Sequence, residues 1–166
     1  MAEISPQLQI SRRRLPHWIL EGAMYFVTSR LVRAQLSRSE ISWLRDRLAA
    51  GAPRHYELFA ATVLPDHVHL LIRPKTGDSL SRVMKGIKGV AARELNRRRG
   101  RKGPVWQDES FDRIVRDQAE LMEKLNYMFL NSLEAGLTDD PGTYEGWYLN
   151  QSGQTGVSAP PKKAKT

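Results

Sequence analysis

Apolar and polar positions along the chain follow two different rhythms, and their succession predicts the elements. Ala23 to Arg30 is rich in aromatic and β-branched residues and reads as a strand. Ser37-Arg38-Ser39-Glu40 has the form of a capping box and opens a helix with Ile41, Leu44 and Leu48 on one face, stopped by Gly51. Two strands follow, over residues 56–64 and 67–73, joined tightly at Pro65-Asp66. Leu80, Val83, Met84, Ile87, Val90, Ala91 and Leu95 recur at helical spacing and predict a long helix over 79–98. A basic turn from Gly100 to Gly103 leads to a short fourth strand over 111–116. Asp117, with Glu120 three residues on, caps a last helix that runs to about Leu133 and stops near Gly136. The order β-α-β-β-α-β-α is α+β. Its two βαβ-like halves predict a ferredoxin-like antiparallel sheet with helices mainly on one face.

Composition narrows the class. The 166 residues fit one domain, placed at 15–148, between a basic N-terminal arm (1–14) ending in Arg12-Arg13-Arg14 and a polar tail (149–166) expected to be disordered. Cysteine is absent, which excludes disulfides, thiolate nucleophiles and cysteine zinc sites together. No run approaches the roughly 18 apolar residues of a membrane span, and the N-terminus lacks the apolar stretch of a signal peptide, so a cytoplasmic protein is expected. Lys+Arg 26 against Asp+Glu 18 gives a formal net charge of +8, which favours a polyanion partner because neutralised phosphates release counterions.

The sharpest chemical signal is His67-Val68-His69. Side chains alternate across a strand, so the two imidazoles share one face and are placed to hold a divalent metal side by side. A pair of half-buried strand histidines satisfied by hydrogen bonds is the competing reading. The last helix carries an apolar stripe of Leu121, Met122, Leu125, Met128, Phe129 and Leu133. At about 100° per residue Tyr127 falls nearly opposite that stripe, with Asn131 one turn later on the same side. An ordinary surface tyrosine would look the same. As a nucleophile its phenol, with an ordinary pKa of about 10, needs metal or base assistance. Asn131 offers a neutral oxygen, and a mixed nitrogen and oxygen set suits Mg²⁺ or Mn²⁺.

These motifs, together, resemble the HUH superfamily of single-tyrosine transposases, in its repeat-associated (REP-associated) branch. Leu64-Pro65-Asp66 before His67-Val68-His69 is similar to the family's His-hydrophobic-His motif. Tyr127-Met128-Phe129-Leu130-Asn131, followed by Glu134-Ala135-Gly136-Leu137, resembles its tyrosine helix. Val105-Trp106-Gln107 with Phe111 to Asp117 resembles the stretch before that helix, and Ser79 to Asn96 the central helix. The likeness spans about residues 15–137. Two departures stand out: Ser132 takes the place of a common proline, and Asn131 that of the glutamine common in the insertion-sequence branch.

The resemblance implies a single-stranded DNA endonuclease and transesterase acting near palindromic hairpins through a 5′-phosphotyrosine on Tyr127, with His67, His69 and Asn131 holding Mg²⁺ or Mn²⁺. DNA contacts are expected from Arg12, Arg13 and Arg14, from Arg82, Lys85, Lys88, Arg93, Arg97, Arg98 and Arg99 on the long helix, and from Arg101 and Lys102 after it. Trp106 is a candidate for stacking on an unpaired base, with a core position as the alternative. The partner is single-stranded or hairpin DNA, with monomer and homodimer both open. Two rival readings share the fold: a nucleic-acid-binding module without catalysis, and a metal-dependent phosphoesterase that uses water.

Overall fold

Burial on both faces of a sheet removes the alternation that a half-exposed strand shows, and the two central strands here are near-continuous apolar runs for that reason. In the computed structural model, which describes residues 23–33, 35–52 and 54–150, the order is β1 (Met24–Leu31), α1 (Arg38–Gly51), β2 (Tyr56–Val63), β3 (His67–Pro74), α2 (Leu80–Arg99), β4 (Trp106–Val115), α3 (Gln118–Glu134) and β5 (Trp147–Leu149). A short 3₁₀ turn, Pro141–Thr143, precedes β5. The five strands form one sheet in the order β4-β1-β3-β2-β5, with each neighbouring pair antiparallel. This is the expected ferredoxin-like α+β arrangement, extended by one strand.

The helices form where their caps and stripes predict. Ser37 caps α1 through a complete capping box with Glu40, Ser79 caps α2, and Asp117 accepts from the Glu120 amide at the start of α3. Gly100 ends α2 with φ of 60°, a left-handed value that glycine adopts without a Cβ penalty. Helices α1 and α2 cover one face of the sheet, packing Leu44, Leu48, Met84 and Leu95 against Val27, Val68, Leu70 and Ile72. Helix α3 covers the other face alone, with Leu121, Leu125 and Met128 against Met24, Phe26, Phe59 and Leu71. A register shift between Leu58 and Ala60 puts Phe59 and Ala60 together on the α3 side.

Three boundaries differ from expectation. Strand β4 begins at Trp106, five residues before the predicted start at Phe111, because Trp106 pairs with Leu31 past an irregularity in β1. The polar stretch Gln107 to Ser110 tolerates this because β4 is an edge strand, exposed along most of its length, where charged side chains also discourage further pairing. The predicted tail at 149–166 begins too early, since Leu149 belongs to β5 and the Asn150 amide donates to the Phe59 carbonyl. The third difference is β5 itself, three residues that no pattern announced. The basic arm at 1–14 and residues 151–166 lie outside the described residues.

Arg99, expected on the DNA surface, is instead part of the frame. Its guanidinium holds Glu40 with two bonds of 2.8 Å and donates to the Gln35 carbonyl at 3.0 Å, fastening the end of α2 to the start of α1. The Arg99 bonds, opposed by burial, bring the Glu40 carboxyl from its ordinary 4.5 down to about 2. A depressed carboxylate pKa stabilises the fold above the unfolded value and loses that contribution as pH falls through the folded one. Glu40→Gln should therefore lower unfolding free energy by about 1–2 kcal/mol near neutrality. Urea titrations of both proteins should show that difference closing between about pH 4.5 and pH 2; a gap independent of pH would mean the pair is not ionic in the fold.

Candidate active site

Strand β3 brings His67 and His69 to the α3 face of the sheet, and each ring is oriented by a partner at Nδ1. Asp66 Oδ1 lies 2.6 Å from His67 Nδ1, and Thr28 Oγ1 lies 2.8 Å from His69 Nδ1. A carboxylate only accepts, so His67 donates from Nδ1, and a neutral ring then presents Nε2 as a lone pair. When His69 donates from Nδ1 to Thr28, its Nε2 is free as well. The two Nε2 atoms are 3.1 Å apart, with ring centroids 4.7 Å apart and planes crossed at 82°. That separation matches two nitrogens sharing one cation at about 2.0–2.1 Å each.

Burial decides the protonation of the inner ring. His69 is 3% exposed, and burial, followed by the nearby His67 and Arg30 charges, brings its pKa from 6.5 down to about 3. It is therefore neutral at physiological pH, the form in which an imidazole binds a metal. Burial raises the Asp66 carboxyl, but the His67 hydrogen bond and charge outweigh it and hold the group below its ordinary value.

Tyr127 stands on α3 beside this pair. Its ring centroid is 5.4 Å from His69 and 6.2 Å from Phe26, edge-on to both, and Phe26 in turn stacks on His69 at 5.3 Å. The residue is 47% exposed, so the ring rests against the site while remaining open to a substrate. Asn131, one turn later, is half-buried, and its Oδ1 is enclosed without a hydrogen-bond partner among the described residues. The buried stripe of α3 includes Ser132 in addition to Leu121, Leu125, Met128 and Phe129. The apolar stripe read from the sequence, which extends to Leu133, thus lies somewhat rotated from the buried one.

This donor set fits a hard divalent cation. Among the described residues no group of three His, Asp or Glu side chains could hold a metal, so a third protein donor must be of another kind. The enclosed Asn131 oxygen is chemically of that kind, and a buried carbonyl oxygen without a partner costs about 1–3 kcal/mol unless something satisfies it.

The basic candidates divide among several roles. Trp106 belongs to the core, 8% exposed, with its indole N–H donating to the Lys88 carbonyl at 3.0 Å. Of its two readings the structure takes the core position, because the ring has no free face for a base. Lys88 Nζ donates to the Gln107 carbonyl. Arg97 and Arg98 share Glu94, and Arg98 also lies over Trp43 at 4.8 Å. Arg82, Lys85 and Arg93 point outward from α2, Arg82 within 3.8 Å of Asp78. Arg82 also lines a cleft of about 480 Å³ with Arg47 and Arg54. Arg101 and Lys102 line a smaller cleft of about 260 Å³ with Arg33 and Asn96. Val32 and Arg33 follow the end of β1, whose Arg30 is the register partner of His67, so the smaller cleft opens at the histidine end of β1. The structure thus gathers His67, His69, Tyr127 and Asn131 on the α3 side, while α2 and its basic residues lie on the opposite face.

Several residues of the site carried no separate signal in the sequence. Thr28 reaches His69, 41 positions away in sequence, only through strand pairing. Asp66 was read as a turn residue, although an acid directly before the first histidine was a signal that could have marked it as a ring-orienting group.

Comparison with known proteins places this geometry. Residues 30–124 match the family described as transposase, IS200-like. A Haemophilus influenzae protein provisionally described as a REP-associated tyrosine transposase is 28% identical over 134 residues, covering 72% of this chain and 75% of its own. Among solved structures, a REP-associated tyrosine transposase bound to a REP hairpin superposes with a TM-score of 0.58 at 19% identity, covering 81% of this chain and 78% of that one. A Deinococcus radiodurans protein, provisionally a transposase, gives a TM-score of 0.44 at 21% identity over 61% of this chain and 85% of that one. The family match spans more than half of the sequence and bears out the resemblance drawn from the His-x-His motif and the central helix: the chain belongs to the IS200-like transposase family.

Proposed function

We propose that the chain cleaves and rejoins single-stranded DNA beside palindromic hairpins through a covalent bond to Tyr127, in the manner of a repeat-associated tyrosine transposase. The observation that carries this reading is the Tyr127 ring set 5.4 Å from His69, whose Nε2 converges with that of His67. The relatives described as REP-associated, one of them bound to a REP hairpin, support the choice of substrate.

In this reading the Tyr127 hydroxyl attacks phosphorus, the Oη–P bond forms and the P–O3′ bond breaks. The phenolic proton leaves, and the departing 3′ oxygen takes up a proton. The product is a 5′-phosphotyrosine and a free 3′-OH. Because one phosphodiester replaces another, a second 3′-OH can reverse the step and join strands without an energy source. His67, His69 and Asn131 are the residues that would hold Mg²⁺ or Mn²⁺, which supplies Lewis-acid polarisation of a phosphoryl oxygen when bound. Asp66 holds a proton on His67 Nδ1, and Thr28, by accepting from His69 Nδ1, would leave the Nε2 of that ring free. Phe26 and the buried face of α3 exclude water from one side of the centre.

Labelled hairpin DNA with a single-stranded flank, mixed with the protein and Mn²⁺, should give an adduct that survives denaturation. It should disappear in EDTA, in His67→Ala and in Tyr127→Phe. The last variant should keep its fold, because the Tyr127 hydroxyl makes no hydrogen bond among the described residues. Cleavage without an adduct would replace this reading with a water-using phosphoesterase, and binding without cleavage would leave only a binding module. Thr28→Val removes the orienting oxygen but keeps the volume, and should weaken Mn²⁺ binding about 10–100-fold by calorimetry. An unchanged affinity would show that the His69 tautomer does not depend on Thr28.

A further inference from the structure

Helix α3 presents a third polar residue on the flank that carries Tyr127 and Asn131. Lys124 precedes Tyr127 by three residues and Asn131 by seven, a spacing that lines one side of a helix. Its Nζ lies 5.1 Å from the centroid of Phe26, the ring that stacks on His69 and meets Tyr127 edge-on. The ammonium therefore sits over the same aromatic floor as the nucleophile, close enough for its charge to act on the His69 ring.

This cation has no carboxylate partner among the described residues. Glu120, one turn back on α3, is engaged by Arg113 and by the Arg116 amide, and Asp66 is engaged by His67. The contrast with α2 is informative: there Glu94 holds Arg97 and Arg98, and Glu40 holds Arg99. A half-buried ammonium contacting only an aromatic face retains its capacity for an anion. Arg30 is the other cation near the pair, but it is exposed on β1, beside His67 in the register, whereas Lys124 stands on the helix of the nucleophile.

We propose that the Lys124 ammonium contacts a non-bridging oxygen of the scissile phosphate and carries the charge that develops there as Tyr127 attacks. The proposal rests on the nuclease reading above and adds to it a substrate-touching residue. A cation fixed where negative charge grows stabilises the transition state more than the ground state, and removing one such group costs about 10²–10³-fold in rate.

The test compares Lys124→Met, which keeps an unbranched side chain over Phe26, with Lys124→Arg, which keeps the charge. Single-turnover adduct formation with Mn²⁺ should fall about 10²-fold or more in Lys124→Met and recover largely in Lys124→Arg. On a Tyr127→Phe background, in EDTA, Lys124→Met should still bind the hairpin substrate, with the salt slope of binding reduced by about 0.7, the loss of one single-strand phosphate contact. Adduct formation by Lys124→Met within a few-fold of wild type would overturn the proposal and leave the nuclease reading standing. So would equal impairment of both variants with an unchanged salt slope, which would assign Lys124 to packing. A wild-type protein that forms no adduct with any hairpin would remove both.

Discussion

The site depends on one packing arrangement: α3 lies across the sheet face that carries His67 and His69. Leu121, Leu125 and Met128 are fully buried against Met24, Phe26, Phe59 and Leu71, and burial of such side chains contributes about 1.5–3 kcal/mol each. That contribution holds the helix where Lys124 and Tyr127 flank the histidines, with Asn131 one turn further on, and it offsets the cost of enclosing polar groups there. The apolar stripe and the polar flank are two sides of the same helix. A shift of α3 to improve its packing would move Tyr127 by the same amount.

Enclosure also sets the chemistry of the sheet row beneath. Thr28 on β1, His69 on β3 and Thr62 on β2 are register neighbours, and all three are buried. In water an imidazole would exchange between charged and neutral forms near neutrality. Here burial keeps His69 neutral, and Thr28 fixes which nitrogen faces the cleft. The oxygens of Thr62 and Asn131 remain without partners among the described residues, a local expense of the kind that proteins concentrate at functional sites. Rigid strands are suited to this, because neither histidine can turn away without breaking the Nδ1 contact that orients it.

How much of this was legible in the sequence follows from which interactions are local. The capping box at Ser37, the cap at Asp117 and most of the helical stripes of α2 and α3 depend on residues within a turn of one another, and they formed close to the reading, with Val90 exposed and the α3 stripe turned toward Ser132. His67 and His69 share a face by the geometry of a single strand. Thr28 came to His69 only by the pairing of β1 with β3, which no local pattern specifies. Strand β5 was invisible for a related reason. It holds three residues, and it is secured by contacts from afar: the Tyr144 hydroxyl donates to the Val63 carbonyl at 2.7 Å, and Phe129 packs on Trp147. Gly146 permits the close approach, since a Cβ there would lie 2.1 Å from the Val63 oxygen. Arg99 and Trp106 looked like recognition residues because charge and aromaticity are visible in a sequence, whereas Glu40 and the Lys88 carbonyl opposite them are not.

The two faces of the sheet divide the work in a way that constrains any substrate. Basic residues of α2 stand on one face, and Tyr127 with the histidine pair stands on the other. A nucleic acid that touches both must pass around the sheet, and the ends of the strands differ as routes. At the end where β1 leaves the sheet, Arg30 lies beside His67, and the cleft lined by Leu31, Arg33, Arg101 and Lys102 lies at that same end. The Leu31 amide donates to the Asp66 carbonyl there, tying the exit of β1 to the turn that introduces His67. Cations thus run from the end of α2 to the histidines over a stretch of backbone that the hydrogen bonds of the sheet hold in place. Placing positive charge on this rigid rim, and not on the long helix alone, is what would let phosphate contacts on one face set the position of a phosphodiester on the other.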